Sequence, residues 1–274
     1  MKSAGMHNDS FSEAGTEHAG RNDHLGRAAD ANITSPGPAQ QESPGEVRER
    51  AGNYVPAARA AHPYGGAPIQ VGQEWANAVT HGIAATGALI AGAYLVWIAA
   101  QQELGLALAS AAYMLSAFGT FLFSTLSHVI HRQPMLNALR AWDQAMIYTM
   151  ISGTYTPIVY VYAPDVVRMP LLVAIWIAAF TGFVFKVAIR HRINSIGTVS
   201  YVLLGWLPAI PLVSNVPSTL AWSMTAGGVI YTLGVVCLIN DSKLPYLHAV
   251  WHLFVMAAAS CHFLGILYYV VGAS

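Results

Sequence analysis

Seven apolar stretches follow one another from Trp75 onward, at roughly 78–100, 104–130, 142–163, 167–189, 196–214, 218–239 and 246–272. Each approaches the 20 or so residues that a helix rising about 1.5 Å per residue needs to cross about 30 Å of hydrocarbon. Short polar connectors separate them. The fifth is the shortest and is interrupted by Pro208 and Pro211, so it is expected to span as a kinked helix whose freed backbone groups are satisfied by its neighbours. The expectation is an all-α membrane protein, a seven-transmembrane helix bundle.

Charge supports this. Residues 1–73 hold six Lys/Arg and eight Asp/Glu, which leaves seven bases and five acids for the rest of the chain. Those five acids, Glu74, Glu103, Asp143, Asp165 and Asp241, are too few for a water-facing surface, whereas a bilayer demands an apolar exterior. No basic patch suggests nucleic-acid binding. Cys237 and Cys261 lie within apolar runs and are expected to be buried thiols that pack as small hydrophobes. The N-terminus carries no apolar signal-peptide core.

Residues 1–70 have a different character. They are rich in Ala, Gly, Ser, Pro and charged residues, and the runs Ser35-Pro36-Gly37-Pro38 and Ser43-Pro44-Gly45-Glu46 break any helix. Such a segment cannot bury enough apolar surface to offset its chain entropy. The chain therefore divides into a disordered cytoplasmic tail, 1–70, and a membrane domain, 71–274. Arg132 and Arg140 fall in the second connector, Arg190 and Arg192 in the fourth, and Lys243 in the sixth. The first and fifth connectors have no Lys or Arg and the third has only Arg168, which places the N-terminus in the cytoplasm and the C-terminus outside. No internal repeat is visible.

Ionisable groups at membrane depth are costly and mark function. His248 and His252 stand four residues apart at the start of the seventh stretch, on one helix face. The inside/outside assignment brings His128, at the end of the second stretch, and Asp143, at the start of the third, to the same leaflet. Three neutral imidazoles make a catalytic zinc set that leaves a fourth position to water, and Asp143 is placed to hold or deprotonate that water. Ser124 lies one turn before His128. The alternative is a set of packed polar residues hydrogen-bonding between helices. Zinc is favoured over copper or iron, since neither a thiolate nor a carboxylate facial triad is nearby. Glu74 and His81, seven residues apart on the first helix, either support the cluster or pack the helix. His262 lies about 21 Å along the axis from His248 and cannot share its ligand set. His131 and His191 flank basic connectors and are expected to be solvated. In the third stretch, Gly153-Thr154-Tyr155-Thr156-Pro157 signals close helix approach with a kink, or an opening for a lipid chain.

Glu74…Thr80-His81-Gly82, Ser124-x3-His128, Leu139-Arg140-x2-Asp143, Gly153-Thr154-Tyr155-Thr156-Pro157 and His248-x3-His252-Leu253 together resemble the hemolysin III family, the bacterial branch of the progestin and adiponectin receptor (PAQR) superfamily. The resemblance covers about residues 72–272. It implies seven helices with a cytoplasmic N-terminus in the plasma (bacterial inner) membrane. It also implies zinc near the cytoplasmic face, with His128, His248 and His252 as ligands, Asp143 holding a zinc-bound water and Ser124 close by. Two positions depart from the pattern: Ser127 stands where the family usually has tyrosine, and Gln144 where it usually has histidine.

The expected activity is zinc-dependent hydrolysis of a lipid amide or ester, resembling the ceramidase activity proposed for eukaryotic relatives, with the bilayer itself and a membrane lipid or fatty-acyl substrate as partners. A non-enzymatic lipid sensor stapled by structural zinc is the alternative. A pore-forming cytolysin, suggested by the family name, finds little support, since no polar stripe lines a channel.

Overall fold

The structure, a computed structural model, describes residues 70–188 and 194–272; the tail read as disordered and the solvated His191 lie outside them. The described residues form seven helices and no strand: α1 (Val71–Ala100), α2 (Leu104–Val129), α3 (Met135–Tyr162), α4 (Asp165–Val187), α5 (Asn194–Trp206), α6 (Ser218–Ile239) and α7 (Leu247–Ile266). A 3-10 turn (Leu207–Ala209) follows α5, and a π-helical turn (Leu267–Val271) extends α7.

Short connectors make consecutive helices antiparallel neighbours. The main packed pairs are α1 with α2, α2 with α3, α3 with α4 and α6 with α7, and α7 also packs on α1. The bundle's ends therefore meet, and α1, α2, α3 and α7 surround one region. Five helices are long and apolar enough to cross a membrane: α1, α2, α4, α6 and α7 with its extension. In α4 and α6 only 11% of the most apolar window is fully buried, so most of it is half-buried or exposed, which leaves an apolar outer face for lipid.

The two exceptions have separate causes. At 13 residues α5 is too short, because Pro208 ends it in the 3-10 turn and Pro211 lies in the turns that follow. The fifth expected span is thus a shorter helix with an irregular continuation. By contrast α3 has 28 residues but is less apolar, since it is wrapped by neighbours and carries polar groups on buried faces. Ser152, Gly153, Thr154, Tyr155, Thr156 and Pro157 are all buried there, and the helix runs unbroken through Pro157. Gly153 permits the contact with α2: a Cβ at this position would lie 2.8 Å from Ser116 Cβ and 3.2 Å from the Ala112 carbonyl oxygen. The motif's hydroxyls are satisfied locally and across helices, Thr156 Oγ1 accepting from Trp176 Nε1 of α4 at 3.1 Å and Ser152 Oγ donating to Ile175 O at 2.9 Å.

Two helices begin earlier than their apolar stretches. By starting at Val71, α1 includes Glu74, and by starting at Met135, α3 includes Arg140. Both cysteines are free, and both are partly exposed, which corrects the expectation of full burial: each lies on a helix flank that is turned partly outward.

Candidate metal centre

Helical periodicity assembles one end of the bundle. On α1, Glu74, Asn77 and His81 recur at i, i+3 and i+7, continuing the buried stripe of Ala85, Ala88, Gly92 and Leu95. On α2, Thr120, Ser124 and His128 recur every four residues along the buried face, and on α7 His248 and His252 do the same. These faces converge. One ring nitrogen from each of His128, His248 and His252 lies within 4.8 Å of the other two, His128 and His252 being buried and His248 partly so. Tetrahedral zinc with bonds of about 2.0–2.1 Å holds its nitrogens about 3.3 Å apart, so side-chain rotations that draw the rings together by up to about 1.5 Å would close the set on one ion.

The surroundings of the rings decide which nitrogen is free. Nδ1 of His128 lies 2.6 Å from Glu74 Oε2, and Nδ1 of His248 lies 2.9 Å from Asp241 Oδ2. Nδ1 of His252 lies 3.1 Å from the Asn77 carbonyl oxygen. A carbonyl only accepts, so the His252 Nδ1 carries the hydrogen, and carboxylates favour the same tautomer at the other two rings. Each imidazole is left with its lone pair on Nε2. The Nε2 of His128 is buried with no hydrogen-bond partner, an arrangement that costs free energy unless an electron-pair acceptor sits there. Three such nitrogens suit a metal ion, and these residues can hold one.

Asp143 is outside this three-atom group but close to it. Its Oδ2 lies 3.3 Å from the Ser127 hydroxyl. The single hydroxyl hydrogen of Ser127, at the family's tyrosine position, is shared between this carboxylate oxygen and the nearer Ser124 carbonyl, at 2.9 Å. Ser124 Oγ is 2.7 Å from His81 Nδ1, and the His81 ring stacks on His252 with centroids 3.5 Å apart and planes 6° from parallel. His81 is therefore a wall of the cluster. Arg140 reaches Glu74 at 3.7 Å. Gln144 turns away from the histidines; its Oε1 accepts from Lys186 Nζ at 3.0 Å and its carbonyl accepts from Tyr201 Oη at 2.8 Å.

Among the described residues, His131 and His262 lie apart from the cluster. His131 is exposed. His262 is buried elsewhere, its Nε2 donating to the Met224 carbonyl at 3.2 Å. Asp241, one of the five acids, carried no site expectation from sequence because it lies in the α6–α7 connector, where no periodicity ties it to a helical face. Its one signal is its position seven residues before His248.

A cavity of about 180 Å³ opens between α3, α5, α6 and α7. Its wall includes Ile147, Met150, Thr154, Tyr155, Trp206 and Trp251. Its lining holds none of the three clustered histidines and includes His262; Thr120 and Ile147 lie one turn from Ser124 and Asp143, and Trp251 precedes His252 in sequence. Thr154 and Tyr155 bring the glycine-containing motif of α3 into this wall.

Residues 69–263 match the family described as Haemolysin-III related. The chain is 35% identical over 205 residues to Hemolysin-3 of Bacillus cereus, an alignment covering 73% of this chain and 93% of that protein. It is 32% identical over 203 residues to the Hemolysin-3 homolog of Bacillus subtilis (strain 168), covering 73% and 95%. The Homo sapiens monocyte to macrophage differentiation factor is 26% identical over 159 residues, covering 56% of this chain and 67% of its own length. No solved structure gives a significant match. Seven helices, the converging histidines and these similarities agree: the chain belongs to the hemolysin III family of membrane proteins, within the PAQR superfamily.

Proposed function

We propose that this protein is a zinc-dependent hydrolase of a membrane lipid amide or ester, acting in lipid homeostasis from the plasma (bacterial inner) membrane with its N-terminus in the cytoplasm. The observation that carries this reading is the set of three imidazoles whose ring nitrogens converge within 4.8 Å, one of them a buried Nε2 with no hydrogen-bond partner, with Asp143 beside Ser127 close by. Zinc is the ion expected from three neutral nitrogens without thiolate. Bound there, it supplies a Lewis acid that polarises a carbonyl and acidifies water.

The chain's own groups have separate tasks. His128, His248 and His252 would hold the ion, with Glu74 and the Asn77 carbonyl fixing the orientation of two of the rings. Asp143 would take the proton from the attacking water as general base. Ser127 keeps one carboxylate oxygen in place, and Ser124, locked by His81, limits how far α2 can shift against the site. The cavity would take the acyl chain and bring its carbonyl end to the cluster. On this reading 71–274 is the working domain and residues 1–70 are a tail outside it.

Zinc-loaded protein purified in detergent should release fatty acid from at least one member of a broad lipid panel. The hydrolase reading fails if nothing is released while a control enzyme works on the same lipids. A second reading is a lipid sensor with structural zinc, favoured by the fact that the ligands tie α2 to α7 where the bundle's ends meet. Asp143→Asn separates the two. A hydrolase loses turnover and keeps its metal, whereas a sensor keeps its cellular phenotype.

A further inference from the structure

Acids are scarce in the membrane domain, which makes their placement informative. Of its five, Glu103 accepts from Tyr160 Oη and Asp165 pairs with Arg168, both away from the histidines. The other three converge on the cluster: Glu74 against His128, Asp143 against Ser127, and Asp241 against His248. Glu74 shares its charge with Arg140. Among the described residues the Asp241 carboxylate has His248 Nδ1 as its partner, and Lys243, two residues on, donates instead to Asn240 Oδ1 at 2.7 Å. His248 is also the most exposed of the three ring ligands, and its rotation is restrained less by packing than that of His252, which is 1% exposed.

We propose that Asp241 is a positioning residue for the metal: from the α6–α7 connector it fixes the His248 ring and raises its basicity, and so controls how tightly the ion is retained. A carboxylate accepting from Nδ1–H holds a ligating imidazole in its Nε2 tautomer and makes that nitrogen a stronger donor; losing such a partner commonly costs 10–100-fold in metal affinity. His252 and His128 would keep the ion's place when this contact goes, so affinity falls without the site being abolished. The inference rests on the metal reading of the three histidines and does not depend on which reaction, if any, follows.

The test is zinc affinity of the full chain in detergent, measured by competition with a chromophoric chelator, for wild type, Asp241→Asn and Asp241→Glu. The expected result is a Kd about 10–100-fold weaker and faster loss of zinc to chelator for Asp241→Asn, with much of the loss recovered in Asp241→Glu. Cobalt in place of zinc should show a changed visible spectrum in Asp241→Asn, a signature that a mere turn-closing role would not move. Metal-free melting temperatures of the three proteins report any folding defect separately. Unchanged affinity and spectrum in Asp241→Asn would overturn the proposal while leaving the three-histidine site standing. A wild-type chain that binds no zinc would remove the site and this role together.

Discussion

Replacing Gly153 with alanine tests how closely α2 and α3 must approach to align the two halves of the site. The added Cβ would sit 2.8 Å from Ser116 Cβ and Oγ and 3.2 Å from the Ala112 carbonyl oxygen. Ser116 Oγ can rotate, at the expense of its 2.7 Å bond to Ala112 O, but its Cβ and the backbone cannot. Restoring ordinary carbon–carbon contact at about 3.5 Å requires the helices to part by about 0.7 Å. Overpacking of this kind costs about 1–3 kcal/mol. Reversible unfolding in mixed micelles should therefore show Gly153→Ala destabilised by that amount. Ser116→Gly removes the opposing Cβ, so the double variant should recover part of the loss, with a coupling of about 1–2 kcal/mol in a double-mutant cycle. Because Gly153 lies about 15 Å along the axis from Asp143, metal content should hold. Stability within about 0.5 kcal/mol of wild type, or a coupling near zero, would refute the close-packing argument.

Other outcomes follow from the same geometry. Asp143→Asn should retain zinc, measured by mass spectrometry, and lose at least 100-fold in lipid turnover, about the effect of a general base. Glu74→Gln should weaken zinc binding by about tenfold or more in a chelator competition, since it removes the 2.6 Å carboxylate contact to His128. Val255→Phe would add bulk to the wall of the 180 Å³ cavity, and should weaken binding of a fluorescent fatty acid while leaving metal content unchanged.

The number and order of the helices could be read from sequence because lipid imposes a length and an apolarity on every span. The limits of that reading are equally physical. Glu74 and Arg140 belong to helices although hydropathy excludes them, since the helices run past the apolar stretches and Glu74 faces both His128 and Arg140 there. The histidine cluster was legible from the four-residue spacing of His248 and His252 and from the leaflet assignment of His128. The contact of Asp241 with His248 depends on how a connector folds back, which spacing does not encode. His81 was left between support and packing. In the structure it does both, stacking on His252 and holding Ser124.

The central claim is that His128, His248 and His252 bind one metal ion. Metal content by mass spectrometry on detergent-purified protein, beside His252→Ala, tests it most directly. The account predicts about one zinc per chain in the wild type and its loss in the variant. A well-folded wild-type preparation that holds no metal even after zinc is offered would contradict it.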